Sequence, residues 1–133
     1  GNLREEVTRV PLLIKSPNHQ PGISSSIVEL VDLFPTACDL VSLSKPRSVQ
    51  GTSLLPIINN PKFKAKESAL SFVNKGTSMR SSNWAYMKYG DGSEELYDMK
   101  KDPKQFTNLA KGQVHEEELL RQRKLFLQRM KAL

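Results

Sequence analysis

The chain has 133 residues, of which 38% are hydrophobic and 26% are charged, enough for one domain-sized chain with a buried core. No apolar run approaches the roughly 18 residues that cross a bilayer, so the composition predicts a soluble protein and excludes a membrane-spanning one. The formal net charge of +6 comes from residues 61–133, which carry fifteen Lys and Arg against nine Asp and Glu, and it fits either a polyanion partner or a solvated helix face.

The first part of the chain predicts two strands and a helix. The apolar run Val10–Ile14, bounded by prolines, suits a buried strand, and "ISSSIVEL" is a second strand candidate whose length also fits a helix. A helix should begin after Asp32 as N-cap, with Pro35 in its first turn. Its predicted buried stripe is Phe34, Ala37, Cys38 and Val41. Strand, strand and helix in this order predict the edge of an α/β sheet.

Cys38 is the only cysteine of the chain. A single cysteine permits no internal disulfide, and its apolar neighbours predict a buried, inert thiol.

The middle of the chain is predicted to be an irregular connecting segment. Residues 44–66 contain three prolines, with "GTSLLPII" as the apolar anchor. After it, "SALSFV", "TSMRS" and "WAYMKY" are strand candidates, and "GDGS" predicts a tight turn into "EELYD", so that residues 84–98 form a hairpin. The C-terminal helix should bury a stripe of Leu119, Phe126, Met130 and Leu133. The second half is thus predicted as α+β, a small antiparallel sheet with one helix across it.

Candidate binding residues are few. His19 and His115 show no metal-ligand spacing, and no nucleophile elbow or phosphate loop is present in the sequence. Arg80 and Trp84 could contact an anionic sugar through charge pairing and stacking, or they could be a surface arginine beside a core tryptophan. The weak substrate-binding candidates are therefore Arg80, Trp84 and His19, and no residue is predicted to be catalytic or metal-binding.

An acidic group surrounds the predicted hairpin. It consists of Asp91, Glu94, Glu95 and Asp98. Carboxylates at this density could hold a cation, but they lack EF-hand spacing, and turn and strand-end roles are favoured.

Four segments stand out along the chain: "LREEVTRVPLLIKSP", "SSIVELVDLFPTACDLVSL", "GTSLLPII" and "MRSSNWAYMKYGDGSEELYDMKKDPKQFTNLA". In this order they resemble one family, the sulfatases of the alkaline phosphatase-like superfamily. Together they run from Leu3 to Ala110, and the iduronate-2-sulfatase-like branch is the most similar. The resemblance implies that residues 1–60 are terminal strands and a helix of the catalytic α/β domain, and that residues 61–133 are the smaller C-terminal subdomain.

The resemblance also implies chemistry that this chain does not carry. Sulfatases hydrolyse sulfate esters with a formylglycine made within Cys/Ser-x-Pro-x-Arg, beside a calcium ion. Cys38 is followed by Asp39 and Leu40, and Ser44-Lys45-Pro46-Arg47 has the wrong spacing. We therefore expect a C-terminal portion that is inactive alone, with calcium and formylglycine supplied by an N-terminal portion. The compartment would be periplasmic, extracellular or lysosomal if it follows the family.

The expected partners follow from this reading. They are the N-terminal sulfatase portion, or a second copy of the chain if unpaired strand edges drive self-association. The alternative function is a non-catalytic module that holds sulfated polysaccharide through Arg80 and the cluster Lys100, Lys101 and Lys104. Nucleic acid is not an expected partner, since the aromatic residues are not interleaved with basic residues along one stripe. A membrane is not expected either, since no apolar run is long enough to cross one.

Overall fold

A computed structural model describes residues 2–133, and the chain divides into two compact units. One contains the described residues up to Val10 together with Leu70–Leu133, and the other is Pro11–Ala69. The helices are α1 (Glu5–Thr8), α2 (Leu33–Leu40), α3 (Leu55–Asn59) and α4 (Glu116–Lys131), and a 3₁₀ helix at Leu30–Asp32 precedes α2. The strands are β1 (Ser68–Val73), β2 (Gly76–Ser81), β3 (Trp84–Tyr89) and β4 (Glu94–Asp98). No helix in the described part is long and apolar enough to span a membrane. The division at residue 60 into two sulfatase regions stays a prediction.

The four strands form one sheet in the order β1-β2-β3-β4. β2 pairs with β3 and β3 with β4, both antiparallel, so the predicted strands and the hairpin at residues 84–98 are confirmed. The hairpin turn depends on Gly92, whose φ of 87° is in the left-handed region. Asp91 Oδ1 accepts hydrogen bonds from the amide and the hydroxyl of Ser93, at 2.8 and 2.6 Å, which closes the turn.

Both faces of this sheet are covered within the unit, because side chains alternate along each strand. Leu3, from the N-terminal segment, belongs to a buried cluster on one face whose other members are Ala85, Met87, Tyr97 and Met99. Helix α4 covers the other face, where Leu119 and Phe126 join a cluster with Met79, Tyr86 and Leu96. The result is a sheet held between a short N-terminal segment and the last helix.

The predicted stripe of α4 is only half right. Leu119 and Phe126 are buried, but Met130 and Leu133 are 37% and 56% exposed, since the cluster beneath the helix ends near Phe126. Gln122 is fully buried on the stripe instead. Its amide donates to Glu118 Oε1 at 2.7 Å, and its side-chain oxygen accepts from Ser81 Oγ at 3.4 Å, so a polar group is satisfied inside the layer.

The two strands predicted for the first part of the chain are wrong. Residues 9–16 and 23–29 have no regular secondary structure, and Leu13 and Ile23 are 89% and 97% exposed. A strand needs a neighbour to accept and donate its backbone hydrogen bonds, and none of the described residues pairs with either segment. Apolar composition alone was therefore not enough to form these strands.

Helix α2 begins after Asp32 as predicted, but only Cys38 of its predicted stripe is buried, which confirms the prediction for the thiol. Phe34 and Val41 are 55% and 64% exposed, and Ala37 is exposed too. Pro35 and Thr36 are buried in their place.

The segment "GTSLLPII" packs within the same unit as α2 and explains which face is buried. Thr36 Oγ1 accepts a hydrogen bond from the Leu54 amide at 2.8 Å, and Leu54 and Ile57 are buried. Gly51 lies where this segment meets the 3₁₀ helix before α2. Only glycine fits there, because a Cβ at residue 51 would lie 2.0 Å from the carbonyl oxygen of Val31. The predicted apolar anchor is confirmed.

Candidate functional site

Arg80 lies on β2, on the sheet face covered by the N-terminal segment. Its Nε donates to Glu5 Oε2 at 2.9 Å, and the guanidinium also bonds the carbonyl of Ser81. The Arg80 side chain is 28% exposed. This arginine is therefore a partly covered ion-pair partner of α1, and its charge is compensated by Glu5.

Trp84 lies on the opposite face of the sheet. In the pairing of β2 with β3, Arg80 is opposite Ala85, so the preceding Trp84 points to the other side. There it packs against the cluster under α4, and its ring meets that of His115 edge-on at 6.3 Å. The structure therefore does not place Arg80 and Trp84 where both could contact one sugar. A substrate contact by either residue alone stays a prediction.

His19 belongs to the other compact unit, in a loop. Its Nδ1 lies 2.7 Å from Ser16 Oγ, a local hydrogen bond of the turn. His115 directly precedes α4, and its imidazole ring packs edge-on against the ring of Trp84. Across residues 2–133, no group of three or more His, Cys, Asp or Glu side chains could hold a metal ion, so these residues do not fit the calcium site that the family resemblance implies.

The acidic residues of the hairpin each have a protein partner. Asp91 closes the turn, Glu94 binds Arg123 of α4, and Tyr97 donates to Glu95 Oε2 at 2.7 Å. Asp98 Oδ1 accepts from the amides of Lys100 and Lys101 at 2.9 and 3.2 Å. These contacts are those of turn and strand-end residues.

Among these acids, Glu94 has the most strongly shifted pKa. Burial would raise the pKa of Glu94, but hydrogen bonds from Arg123, Tyr86 and Lys88 outweigh burial and lower the pKa to about 2. The Tyr86 hydroxyl donates to Glu94 Oε1 at 2.6 Å, and burial with this carboxylate raises the pKa of Tyr86. Glu94 therefore joins α4 to the hairpin through one charged group.

The loop after β4 turns around Asp102 and Pro103. The Asp102 amide donates to the Asp98 carbonyl at 2.7 Å, and Asp102 Oδ2 accepts from the Thr107 amide at 2.8 Å. The hydrogen bond from the Thr107 amide is the main cause that lowers the pKa of Asp102. Backbone amides thus fix both ends of this turn.

Gln105 holds the N-terminal segment to this loop, a role that no pattern in the sequence indicates. It is 2% exposed and has a φ of 58°. Its side-chain oxygen accepts from the Glu5 amide at 2.7 Å, and its backbone carbonyl accepts from the Arg4 guanidinium. The Arg4 guanidinium also lies 5.2 Å from the centre of the Tyr97 ring. The loop and the N-terminal segment are therefore one structural assembly.

Asn108 protects the edge of β4. Its side-chain oxygen accepts from the Leu96 amide at 3.1 Å, and its amide donates to the Glu94 carbonyl at 3.1 Å. The Leu109 amide then donates to the Leu96 carbonyl at 2.8 Å. A side chain thus takes the place of a fifth strand and satisfies groups that an open edge would leave unpaired. Asn108 does not begin the last helix, because α4 starts only at Glu116.

The second unit contains a buried ionic group centred on Asp32. Lys66 Nζ lies 2.8 Å from Asp32 Oδ1 and 2.6 Å from Glu29 Oε2. Asp32 is fully buried, and it also accepts from the amides of Glu29 and Thr52, each at 2.8 Å. A buried carboxylate with this many donors is a structural anchor, since removing one partner would leave an uncompensated charge.

An open depression of about 570 Å³ lies beside this anchor, lined by residues from α2, α3 and the segment between them. Asp39 and Lys45 form an ion pair in it at 2.8 Å. Hydrogen bonds from Lys45 and then Ser53 lower the pKa of Asp39. The pair compensates its own charge, so the depression offers no free charged group among these lining residues.

Comparison with known proteins places these observations in one family. A family model described as N-sulphoglucosamine sulphohydrolase, C-terminal, matches residues 2–132. Arylsulfatase K of Xenopus laevis is 33% identical over 86% of this chain and 25% of its own length. The Delta 4,5-hexuronate-2-O-sulfatase of Bacteroides thetaiotaomicron is 33% identical over 91% of this chain and 28% of its own length. This chain spans about a quarter of the length of the curated relatives it matches.

A solved structure shares the fold. The structure of BT4656 in complex with its substrate, D-glucosamine-2-N,6-O-disulfate, superposes with a TM-score of 0.76 over 82% of this chain and 25% of that chain. Their sequences are 22% identical, so this likeness speaks for the fold alone.

Proposed function

Because this chain belongs to the family of sulfatase C-terminal domains, we propose that it acts as the C-terminal part of a sulfuric ester hydrolase and has no activity by itself. The match of the family model to residues 2–132 carries the proposal. The resemblance read from the four sequence segments, from Leu3 to Ala110, agrees with it. The substrate class we propose is a sulfated sugar, as the name of the hexuronate-2-O-sulfatase relative states for that protein.

The contribution of the chain, on this proposal, is architectural. Its own residues provide no formylglycine motif and do not fit the family's calcium site, so the nucleophile and the metal would come from the larger part of the enzyme. The chain would complete the fold and form part of the wall of the substrate cleft. Two rigid features support a wall role: the sheet covered on both faces, and the loop that Gln105 ties to the N-terminal segment.

Exposed apolar side chains of the second unit support the proposal that it packs against the rest of a sulfatase. Leu13 is 89% exposed, Ile23 is 97% exposed, and on α2 Phe34 is 55% exposed. Fully burying one such side chain stabilises a protein by about 1.5–3 kcal/mol, so leaving several in water forgoes a large contribution. We propose that these side chains are buried against the larger part of the enzyme.

A chimera tests this packing. Residues 2–132 would replace the matching C-terminal quarter of arylsulfatase K from Xenopus laevis, and the thermal unfolding of the chimera would be measured. The double substitution Leu13→Asp and Ile23→Asp should lower the Tm of the chimera by several degrees, because it places charges in the proposed contact. The matched control is Val114→Asp, at a side chain that is 91% exposed in the other unit, and it should leave the Tm unchanged. Equal Tm values for the double variant and the control would contradict the packing proposal.

A further inference from the structure

Three lysines are exposed on the loop that follows β4. We name residues 99–107 the lysine loop; Lys100, Lys101 and Lys104 are exposed on it, and Phe106 is 79% exposed. Within residues 2–133 none of the three lysines forms an ion pair with an acid. The positive charge of this loop is therefore not compensated by a direct partner.

The acids beside these lysines are turned toward the backbone. Asp98 and Asp102 are half-buried, and their carboxylates accept hydrogen bonds from backbone amides of the loop. The lysine side chains are left as the exposed charges of the loop. The situation on α4 differs, because Arg123 pairs with Glu94 and Arg121 with Glu118.

The lysine loop is fixed before any ligand binds. The Gln105 amide donates to the Asp102 carbonyl at 3.0 Å, and the buried Gln105 side chain holds the Glu5 amide. A loop with this many internal hydrogen bonds loses little further backbone entropy when it binds a ligand. Preorganisation of this kind raises affinity by lowering the cost of association.

We propose that the lysine loop is a binding site for a sulfated glycan chain. Ammonium groups pair with sulfate oxygens as point charges, and the exposed ring of Phe106 can pack on the apolar face of a sugar. The assignment of a sulfated glycan rests on the proposed function. A nucleic acid is disfavoured because single-stranded binding requires several stacking aromatics, and this loop carries one.

Salt-dependent binding to heparin, used as the sulfated probe, tests the site with the intact chain. Each lysine that displaces a counterion contributes about one unit to the slope of log K against log salt, on the reasoning used for linear polyanions. The triple variant K100Q/K101Q/K104Q should therefore have a slope smaller by about three and bind heparin at least about tenfold more weakly at low salt. The control triple K62Q/K75Q/K124Q removes the same net charge at other exposed lysines and should bind like the wild type.

Three outcomes would overturn the site. They are an unchanged slope in the first triple variant, an equal loss in both triple variants, and equal affinity for hyaluronan, which carries carboxylates and no sulfate. Single-stranded DNA bound as tightly as heparin would overturn the sulfated glycan as the ligand. Binding is measured without turnover, so loss of the site and failure of the proposed hydrolase function are separate results.

Discussion

The Glu94–Arg123 contact makes a quantitative prediction about acid stability. Glu94 Oε2 accepts from Arg123 Nε at 3.0 Å, and the pKa of Glu94 falls from 4.5 to about 2. A shift of that size corresponds to about 3 kcal/mol of folding free energy. Arg123 is 41% exposed, so solvent screening reduces the expected contribution to about 1–3 kcal/mol.

The sign follows from the lowered pKa in the folded state. The folded chain favours ionised Glu94, so the stabilisation is fully present above pH 4.5 and is lost as the pH falls toward 2. The variant Glu94→Gln should therefore be less stable than the wild type by about 1–3 kcal/mol at pH 7, and the difference should shrink toward pH 2.

Urea denaturation followed by circular dichroism at pH 7, 4.5 and 2.5 measures this difference. The control is Glu67→Gln, at an exposed glutamate, which should change stability by less than about 0.5 kcal/mol. A Glu94→Gln variant that is as stable as the wild type at pH 7, or whose loss of stability is the same at all three pH values, would refute this role of Glu94.

Two further substitutions test structural roles. Gly51→Ala should lower the free energy of unfolding by about 2–4 kcal/mol, because the new Cβ would lie 2.0 Å from the Val31 carbonyl oxygen. Gly90→Ala is the control, since its Cβ would have its nearest contact at 3.8 Å. Similar Tm values for the two variants would refute the close approach. Asn108→Ala should lower the free energy of unfolding by about 1–3 kcal/mol, because it leaves two backbone groups of β4 without their hydrogen-bond partners. It should also increase light scattering at high concentration, because the edge of β4 becomes open. Unchanged stability and scattering would refute edge protection.

The hairpin and its sheet could be predicted because their signals are local. Trp84–Tyr89 and Glu94–Asp98 are rich in strand-forming residues, and the glycines between them favour a tight turn. The start of α2 after Asp32 was also predictable, although the Asp32 carboxylate turned out to bind Lys66 and two amides outside the helix.

The errors come from contacts that periodicity does not record. Phe34 and Val41 of α2 were assigned to the interior and are exposed, whereas Thr36 is buried and accepts a hydrogen bond from the Leu54 amide. In the same way, Val10–Ile14 has the composition of a strand and no partner strand among the described residues. The exposed apolar residues of α2 and of Val10–Ile14 would be buried by packing against additional protein, as the proposed function requires.

The candidate site was predicted least well. Arg80 and Trp84 are four residues apart, and only the register of β2 with β3 reveals that they lie on opposite faces. Gln105 and Asn108, which hold the loop after β4, appear in sequence as ordinary polar residues. Their roles depend on hydrogen bonds to Glu5 and to β4, and no propensity encodes those contacts.

Sulfate ester hydrolysis tests the central claim most directly. The chain alone, and the chimera with the larger part of Xenopus laevis arylsulfatase K, would each be incubated with calcium and an aryl sulfate. We expect turnover from the chimera and none from the chain alone, because the nucleophile and the metal site would lie in the larger part. Robust turnover by the chain alone, or a folded chimera that is inactive while its parent enzyme is active, would contradict the account.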